Sequence, residues 1–596
     1  MLSDINLIYP ILIPIATAIL VIGAGTLFEK IAGGKLQRIR EIIATAGFSA
    51  TAYVIYQMYL NMNTLKLTSD IIFAAYTMYL TPTFYYQYLP AGYTLTILIN
   101  MLYGGSTLLT LLSTVTAPPT GSVFAVDFLS ILMAAAFTGL GLLVCIYSIH
   151  YMEHDTGKTK FYALLLILVA SLNGIVFSGD LFTLFVFFEI MSISAFCLVG
   201  FRKEKWEPVE AGFKYLIMVA VGSTLVLYAM SFIYGYTGTL NFAYVGTIIN
   251  ILDTLQLFTL RPMFYLIITL LIAGFGVEAA IVPLHLWLPD AHPAAPSGMS
   301  AMLSGVVIAS GVYALIRTLT VMFPVQLVPS ALLDAFPELK LFVFTLGRFS
   351  FPVGFPAFPV PYPFDWNNAL VVLAIVTMVV ANVMALLQKD LKRLLAYSSI
   401  LNIGYILIGF STGTLLGFSA SWFHVINHAI MKGMLFLCAG AYLHATGSRM
   451  LDDLSGIGRR MPTVSISLAI GSLGLIGLPP FNGFWSKLLL ILAPVQLAPF
   501  TFNGWVWMTL AVVAVLCSGF SAIYYLRLIQ IVWFGKESSR VKSLEKKRAP
   551  LWMLVPIVLL AAACVVFGLF PGVIYGLSSS AAEALYFIPA YFGGII

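Results

Sequence analysis

Along the chain, apolar runs of about membrane-spanning length alternate with short polar connections, and a run of about 20 apolar residues is what a helix needs to cross a bilayer. The pattern predicts fourteen such helices, near 5–27, 42–61, 124–149, 161–178, 181–201, 212–235, 262–284, 298–320, 367–387, 394–411, 416–445, 463–490, 504–533 and 551–575. Two stretches break this rhythm: residues 66–120, apolar and rich in Tyr, and residues 324–366, where Pro recurs through FPVGFPAFPVPYPF. The first has the length of an inserted hairpin of two helices; the second reads as an extended, Pro-stiffened loop. The opening residues MLSDINLIYPILIPIATAIL lack a basic leader and a small-residue cleavage site, so they read as the first membrane helix.

Composition narrows the class further. Of 596 residues, 60% are apolar and 9% charged, and the mean hydropathy is +0.99. The expected fold is therefore an all-α, polytopic, multi-pass protein of the cell membrane, and a large soluble domain has no room. The divisions along the chain are N-terminal helices with the inserted hairpin (1–123), a third core helix and loop (124–160), a first five-helix repeat (161–320), the Pro-rich loop (321–366), a second five-helix repeat (367–533), and a basic loop with a last helix (534–596).

Lys and Arg set the expected orientation, because basic residues gather in short loops on the cytoplasmic side. With the amino terminus outside, the inner loops hold 21 of the 30 basic residues, in groups at 30–40, 158–160, 202–205, 389–393, 449–460 and 536–548. Lys66, Arg261, Arg317, Lys340 and Arg348 fall outside, and Lys214, Lys432, Lys487 and Arg527 lie within helices. The net charge of +6 is thus topological, with contact to anionic lipid as its by-product and no nucleic acid partner implied. Gly157-Lys158-Thr159 resembles the end of a phosphate loop, but position 152 is Met where that motif requires Gly. The five cysteines stand singly in helices, without a Cys-x-x-Cys pair, so neither a metal centre nor a cofactor is expected.

Ionisable groups at bilayer depth are costly, which makes them the candidates for chemistry. Glu189 sits mid-helix in LFTLFVFFEIMSISAFCLVG, and Lys214 follows in the next helix. They could serve ion movement; alternatively Lys214 snorkels to the interface and Glu189 pins two helices together. In GFGVEAAIVPLHLWLPDAHPAAPSGMS, a broken helix, Glu278 and His285 lie seven residues apart on the same face, with Pro283 removing a backbone hydrogen bond between them. A second broken helix, GSLGLIGLPPFNGFWSKLLL, carries Pro479, Pro480 and Lys487. Each break falls in the fourth helix of its half, and matching interruptions point to an inverted-repeat transporter with polar sites near the midplane. Between the breaks, His424, His428 and Lys432 recur every four residues on one helix face. Imidazole and a desolvated amine both exchange protons, so a proton path is the natural reading; a metal site or interhelical hydrogen bonding are the alternatives.

These strings resemble the antiporter-like membrane subunits shared by Mrp-type sodium/proton antiporters, respiratory complex I and archaeal energy-converting complexes of the membrane-bound hydrogenase type. The resemblance runs in family order through VDFLSILM, FFEIMSISAFCLVG, FKYLI, PLHLWLPDAHPAAPS, ALLQKDLKRLLAYSSILNIGY, HVINHAIMKGMLFLCAG and GLPPFNGFWSK, from about 124 to 490. It implies fourteen core helices, inverted repeats and a polar axis in which Glu189 is the acidic partner, His424, His428 and Lys432 are connecting groups, and Lys487 is the terminal ionisable residue. It also implies partner subunits in the membrane and, for redox-driven members, peripheral redox subunits.

Two positions depart from that family. Glu278 stands where its members carry a lysine that pairs with the glutamate equivalent to Glu189, and Ala309 replaces a lysine or histidine in SGVVIASGVY. Either Glu189 and Glu278 share a proton with Lys214 balancing the charge, or the amino-terminal half-channel is altered or idle. The expected function is proton or sodium/proton translocation in a multi-subunit complex. Its rivals are a coupling or structural subunit that does not pump, a free-standing solute permease, and a membrane enzyme, for which no nucleophile–base pair or metal cluster is visible.

Overall fold

The protein was analysed as a computed structural model that describes residues 4–31, 39–77, 123–254, 261–323, 366–500, 504–544 and 549–586. It is a multi-pass helical bundle. Ten helices in the described residues are long and apolar enough to cross a membrane, and Tyr9–Ile22, Pro262–Glu278 and Pro462–Ile476 are shorter apolar helices. Most of the expected hairpin and the whole Pro-rich loop lie outside the described residues; within them, the second helix runs on as Ile39–Thr77 instead of ending at 61. Two further helices were not expected: Phe242–Thr254, and Pro571–Tyr586, which begins inside the last predicted crossing (551–575) because the helix there stops at Leu569.

Helix boundaries follow from local chemistry, and one junction occurs twice. Asp180 caps the helix Leu181–Val199, and Asp390 caps the helix Leu391–Ser411, each accepting from backbone N–H groups of the first turn. The following helices, Trp206–Thr237 and Leu415–Thr446, each span 32 residues and each end in a left-handed glycine, Gly238 at φ +67° and Gly447 at φ +68°. The chain then returns to the capping aspartate: Leu181 N–H donates to the Leu240 carbonyl at 3.0 Å, and Leu391 N–H to that of Arg449 at 2.9 Å.

The two junctions lie at opposite ends of the bundle. At one end, ion pairs and hydrogen bonds link all six basic loops: Arg40 to Thr159, Arg202 to Asp155, Arg449 to both Glu207 and Asp390, Arg540 to Asp453, and Arg460 to Glu537. The Arg460 hydrogen bond also holds the Glu537 carboxyl below the usual carboxylate range. The Asp180 junction is at the other end, where Gly179 N–H donates to the Val123 carbonyl at 2.8 Å and Arg317 pairs with Asp127. Here the basic-residue reading needs correction, because Arg317, counted with the outer loops and helix ends, and Lys392, assigned to an inner loop, are 1% and 0% exposed. Helical periodicity turns each of them inward, where a partner offsets the cost of burial.

Polarity is graded from the centre outward. The apolar stretches of Leu391–Ser411 and Ser297–Met322 are buried throughout, whereas those of Trp206–Thr237 and Gly504–Phe534 are only one-third buried and expose apolar side chains such as Phe213, Leu227, Val512 and Phe520. Hydrocarbon outside admits no polar stripe, so the side chains that hydrogen-bond collect on the central helices.

Candidate functional site

The central helix Leu391–Ser411 presents Lys392, the Leu395 carbonyl, Ser398, Ser399 and Asn402 along one face, at helical spacings of three and four. The Lys432 ammonium, from Leu415–Thr446, donates to the Leu395 carbonyl at 2.9 Å and to the Ser398 hydroxyl, with the Tyr525 hydroxyl at 3.5 Å. Asn402 donates to the Ser398 carbonyl at 2.6 Å, and its side-chain oxygen lies 3.1 Å from His424 Nε2. The other imidazole nitrogen, Nδ1, is 2.9 Å from the Ser486 hydroxyl, one residue before Lys487. Lys432, Ser398, Asn402, His424, Ser486 and Lys487 therefore form a nearly continuous polar row through the buried centre. His428 flanks it with ring centroids 6.4 Å from His424, and its Nε2 has no partner among the described residues.

Lys487 owes its position to the second helix break. Pro462–Ile476 stops at Gly477, whose φ of +93° suits only glycine, and the helix restarts at Asn482. The carbonyls freed there are taken by side chains: Leu475 accepts from the Lys487 ammonium at 2.5 Å and Ile476 from the Ser518 hydroxyl at 2.8 Å. A cation at the carboxyl end of a half-helix also answers its dipole, and the Tyr405 ring centroid, 4.5 Å from Lys487 Nζ, adds a cation–π contact. The two half-helices are in contact at Gly483, where a Cβ would stand 2.0 Å from the Gly474 carbonyl oxygen. Gly483→Ala is accordingly expected to cost about 1–3 kcal/mol, measured as a lower melting temperature of the purified protein.

The first break is built differently. Arg261–Glu278 ends at Glu278, so Glu278 and His285 do not share a helix face, and the reading that put them on one fails because the helix does not continue between them. The Val277 carbonyl, which accepts from the Ala280 N–H at 3.1 Å, also accepts from the Trp287 indole N–H at 2.8 Å, a donor that does not titrate. Trp287 stacks on Tyr215 at 3.9 Å, and the Tyr215 hydroxyl donates to Glu278. Glu189, half-buried in its helix, lies within electrostatic reach of Glu278. Lys214 does not join them. It pairs with Glu210 at 2.9 Å and Asp290 at 3.0 Å and is 48% exposed, because the helical turn that carries it faces the basic end. His285 is buried near the Tyr397 ring, with Nδ1 unpartnered among the described residues.

Thus the structure brings together Lys432, His424 and Lys487, with His428 beside them; it sets Glu189 and Glu278 near one another, and Lys214 and His285 apart. Sequence reasoning missed Tyr215, Asn402, Ser486, Lys392 and His292. The signal for part of this set was present in LKRLLAYSSILN, where polar residues recur at helical intervals inside an apolar segment.

Comparison with known proteins agrees with this architecture. The family described as NADH:quinone oxidoreductase/Mrp antiporter, TM, matches residues 178–333 and 327–521, and that described as NADH-Ubiquinone oxidoreductase (complex I), chain 5 N-terminus, matches 121–162. The F(420)H(2) dehydrogenase subunit N of Methanosarcina mazei is 30% identical across 77% of this chain and 85% of its own length. The NADH-quinone oxidoreductase subunit N of Desulforudis audaxviator is 32% identical across 76% and 83%. Among solved structures, a chain of the membrane-bound sulfane sulfur reductase, an archaeal respiratory membrane complex, is 27% identical with a TM-score of 0.73, covering 98% of this chain and 99% of that one. A chain of the Mrp complex from Dietzia sp. DQ12-45-1b, 24% identical with a TM-score of 0.62 over 79% of this chain and 85% of that one, has the same fold.

Proposed function

The chain belongs to the NADH:quinone oxidoreductase/Mrp antiporter family of transmembrane subunits, and we propose that it moves protons along the buried row from Lys432 through His424 to Lys487, as one subunit of a multi-subunit membrane complex. One observation carries this reading. The row is a nearly continuous succession of groups that gain or lose protons and groups that donate and accept hydrogen bonds, held where a charge without a function is a pure cost. Other membrane subunits are its natural partners, since the similar proteins are named as subunits of larger assemblies. The orientation that fits the loop charges puts the amino terminus outside and the linked basic loops inside. A cysteine at position 540 should then react with a membrane-impermeant maleimide only after permeabilisation; labelling on intact cells contradicts it.

A second reading, a coupling subunit that does not pump, draws support from the first break, where an indole takes the kind of backbone carbonyl that Lys487 takes at the second, and where Glu278, held by Tyr215, stands in place of a lysine. Glu278→Gln separates the two halves in a complex reconstituted into vesicles enclosing a pH-sensitive dye. If only the Lys432–Lys487 half conducts, this variant lowers proton movement by less than about threefold, the scale of a lost hydrogen bond. A fall as large as that of Lys432→Ala puts Glu278 in the path. Unchanged movement in Lys432→Ala favours the coupling reading.

A further inference from the structure

The row ends at Lys432 on the side of the basic loops, and the groups beyond it are not random core. Lys392, 0% exposed, directs its ammonium to the Ala295 carbonyl at 2.8 Å and the Ser300 hydroxyl at 3.3 Å. Ser300 in turn donates to the His292 carbonyl at 2.9 Å. The His292 imidazole, also 0% exposed, stacks on Phe436 at 4.4 Å, and neither ring nitrogen has a partner among the described residues. It lies within electrostatic reach of both Lys392 and Lys432. Leaving two imidazole nitrogens unsatisfied costs more than an apolar ring of the same shape would, so packing alone does not account for histidine here.

Immediately outside Lys392 is a water-accessible cavity of about 440 Å³, lined by Glu207, Lys214, Asp290, Asp390, Arg393 and Arg449 among others. Asp390 and Arg393 flank Lys392 in sequence; Arg393 turns outward to Asp290 at 2.7 Å, and the Lys392 backbone N–H donates to Asp390 at 2.8 Å. One turn of helix thus spans the boundary between a solvated, mixed-charge vestibule and the buried row.

We propose that Lys392 and His292 form the relay that connects this vestibule to Lys432. The proposal rests on the proton-moving reading above. A proton from vestibule water occupies the Lys392 amine. Its transfer breaks one N–H bond on lysine and forms one on the imidazole; release from the other ring nitrogen to the Lys432 amine leaves histidine neutral. Two protons hop in succession for one charge carried, and the imidazole is left as its other tautomer, which rotation of the ring must reset before the next transfer.

Two variants separate relay from packing. Lys392→Arg keeps the charge and the donors toward Ala295 but cannot release its proton, and His292→Phe keeps a ring stacked on Phe436 without nitrogens. Each is compared with Lys432→Ala in the reconstituted complex, with proton movement driven by an imposed potassium diffusion potential. The relay predicts that either variant assembles with near-parental melting temperature yet moves protons about a hundredfold more slowly. Parental rates in both, with Lys432→Ala inactive, overturn the relay and leave the row intact. A parental rate in Lys432→Ala overturns the row, and the relay with it.

Discussion

Lys487→Ala is expected to reduce proton movement by about a hundredfold or more, with the complex still assembled. Lys487 is both the end of the row from Lys432 and the group that satisfies the Leu475 carbonyl at the helix break. The second role alone predicts a modest loss of stability, of order one hydrogen bond, so the two roles come apart experimentally. Lys487→Arg restores the cation beside Tyr405 and the donor to Leu475 yet cannot give up its proton. It should recover stability and leave proton movement at the alanine level. Recovery of movement by arginine would mean that a fixed charge suffices and that Lys487 is not a carrier.

Asp127→Asn is expected to destabilise the protein by about 3–5 kcal/mol, seen as a large drop in melting temperature of the purified chain in detergent. Asp127 caps the helix Phe128–Tyr151 by accepting from Ser130 N–H at 2.7 Å, and it pairs with Arg317, which is 1% exposed. Asparagine keeps the cap. What it removes is the counter-charge of a guanidinium whose Nε and Nη2 already lack partners among the described residues. Arg317→Met added to Asp127→Asn removes the uncompensated charge and should return most of the loss. A double variant no more stable than Asp127→Asn would show that the cost lies in the cap and not in the buried charge.

The spans and both breaks were legible because bilayer thickness, Pro and Gly act locally and leave their mark on the chain. Lys432 and Lys487 were legible for a similar reason: a charge inside an apolar run has few neutral explanations. Lys392 and Arg317 were counted with the solvated charges of loops and helix ends because they lie near helix ends, where sequence alone does not tell a solvated charge from one turned inward. Lys214 shows the converse: placed near the basic end of its helix, it was read either as part of the ion path or as snorkelling to the interface, and the second is what its pairing with Glu210 and Asp290 at 48% exposure fits. The Tyr215–Trp287 stack and the unpartnered imidazole of His292 were beyond any periodicity, since each depends on where a non-helical segment folds back after Glu278.

The repeated aspartate–glycine junction bears on how the chain is made. Each copy uses the same caps and the same helix length, but the copies end on opposite faces of the bundle. The shared cap and the 32-residue helix are therefore mute about direction, since a ribosome feeding either copy into the bilayer presents the insertion machinery with the same long helix after the same capped one. Direction must be written in the connections, and on the orientation proposed above the arginines that bind Asp155, Glu207 and Asp390 in the finished fold would also be the signal by which the nascent protein inserts.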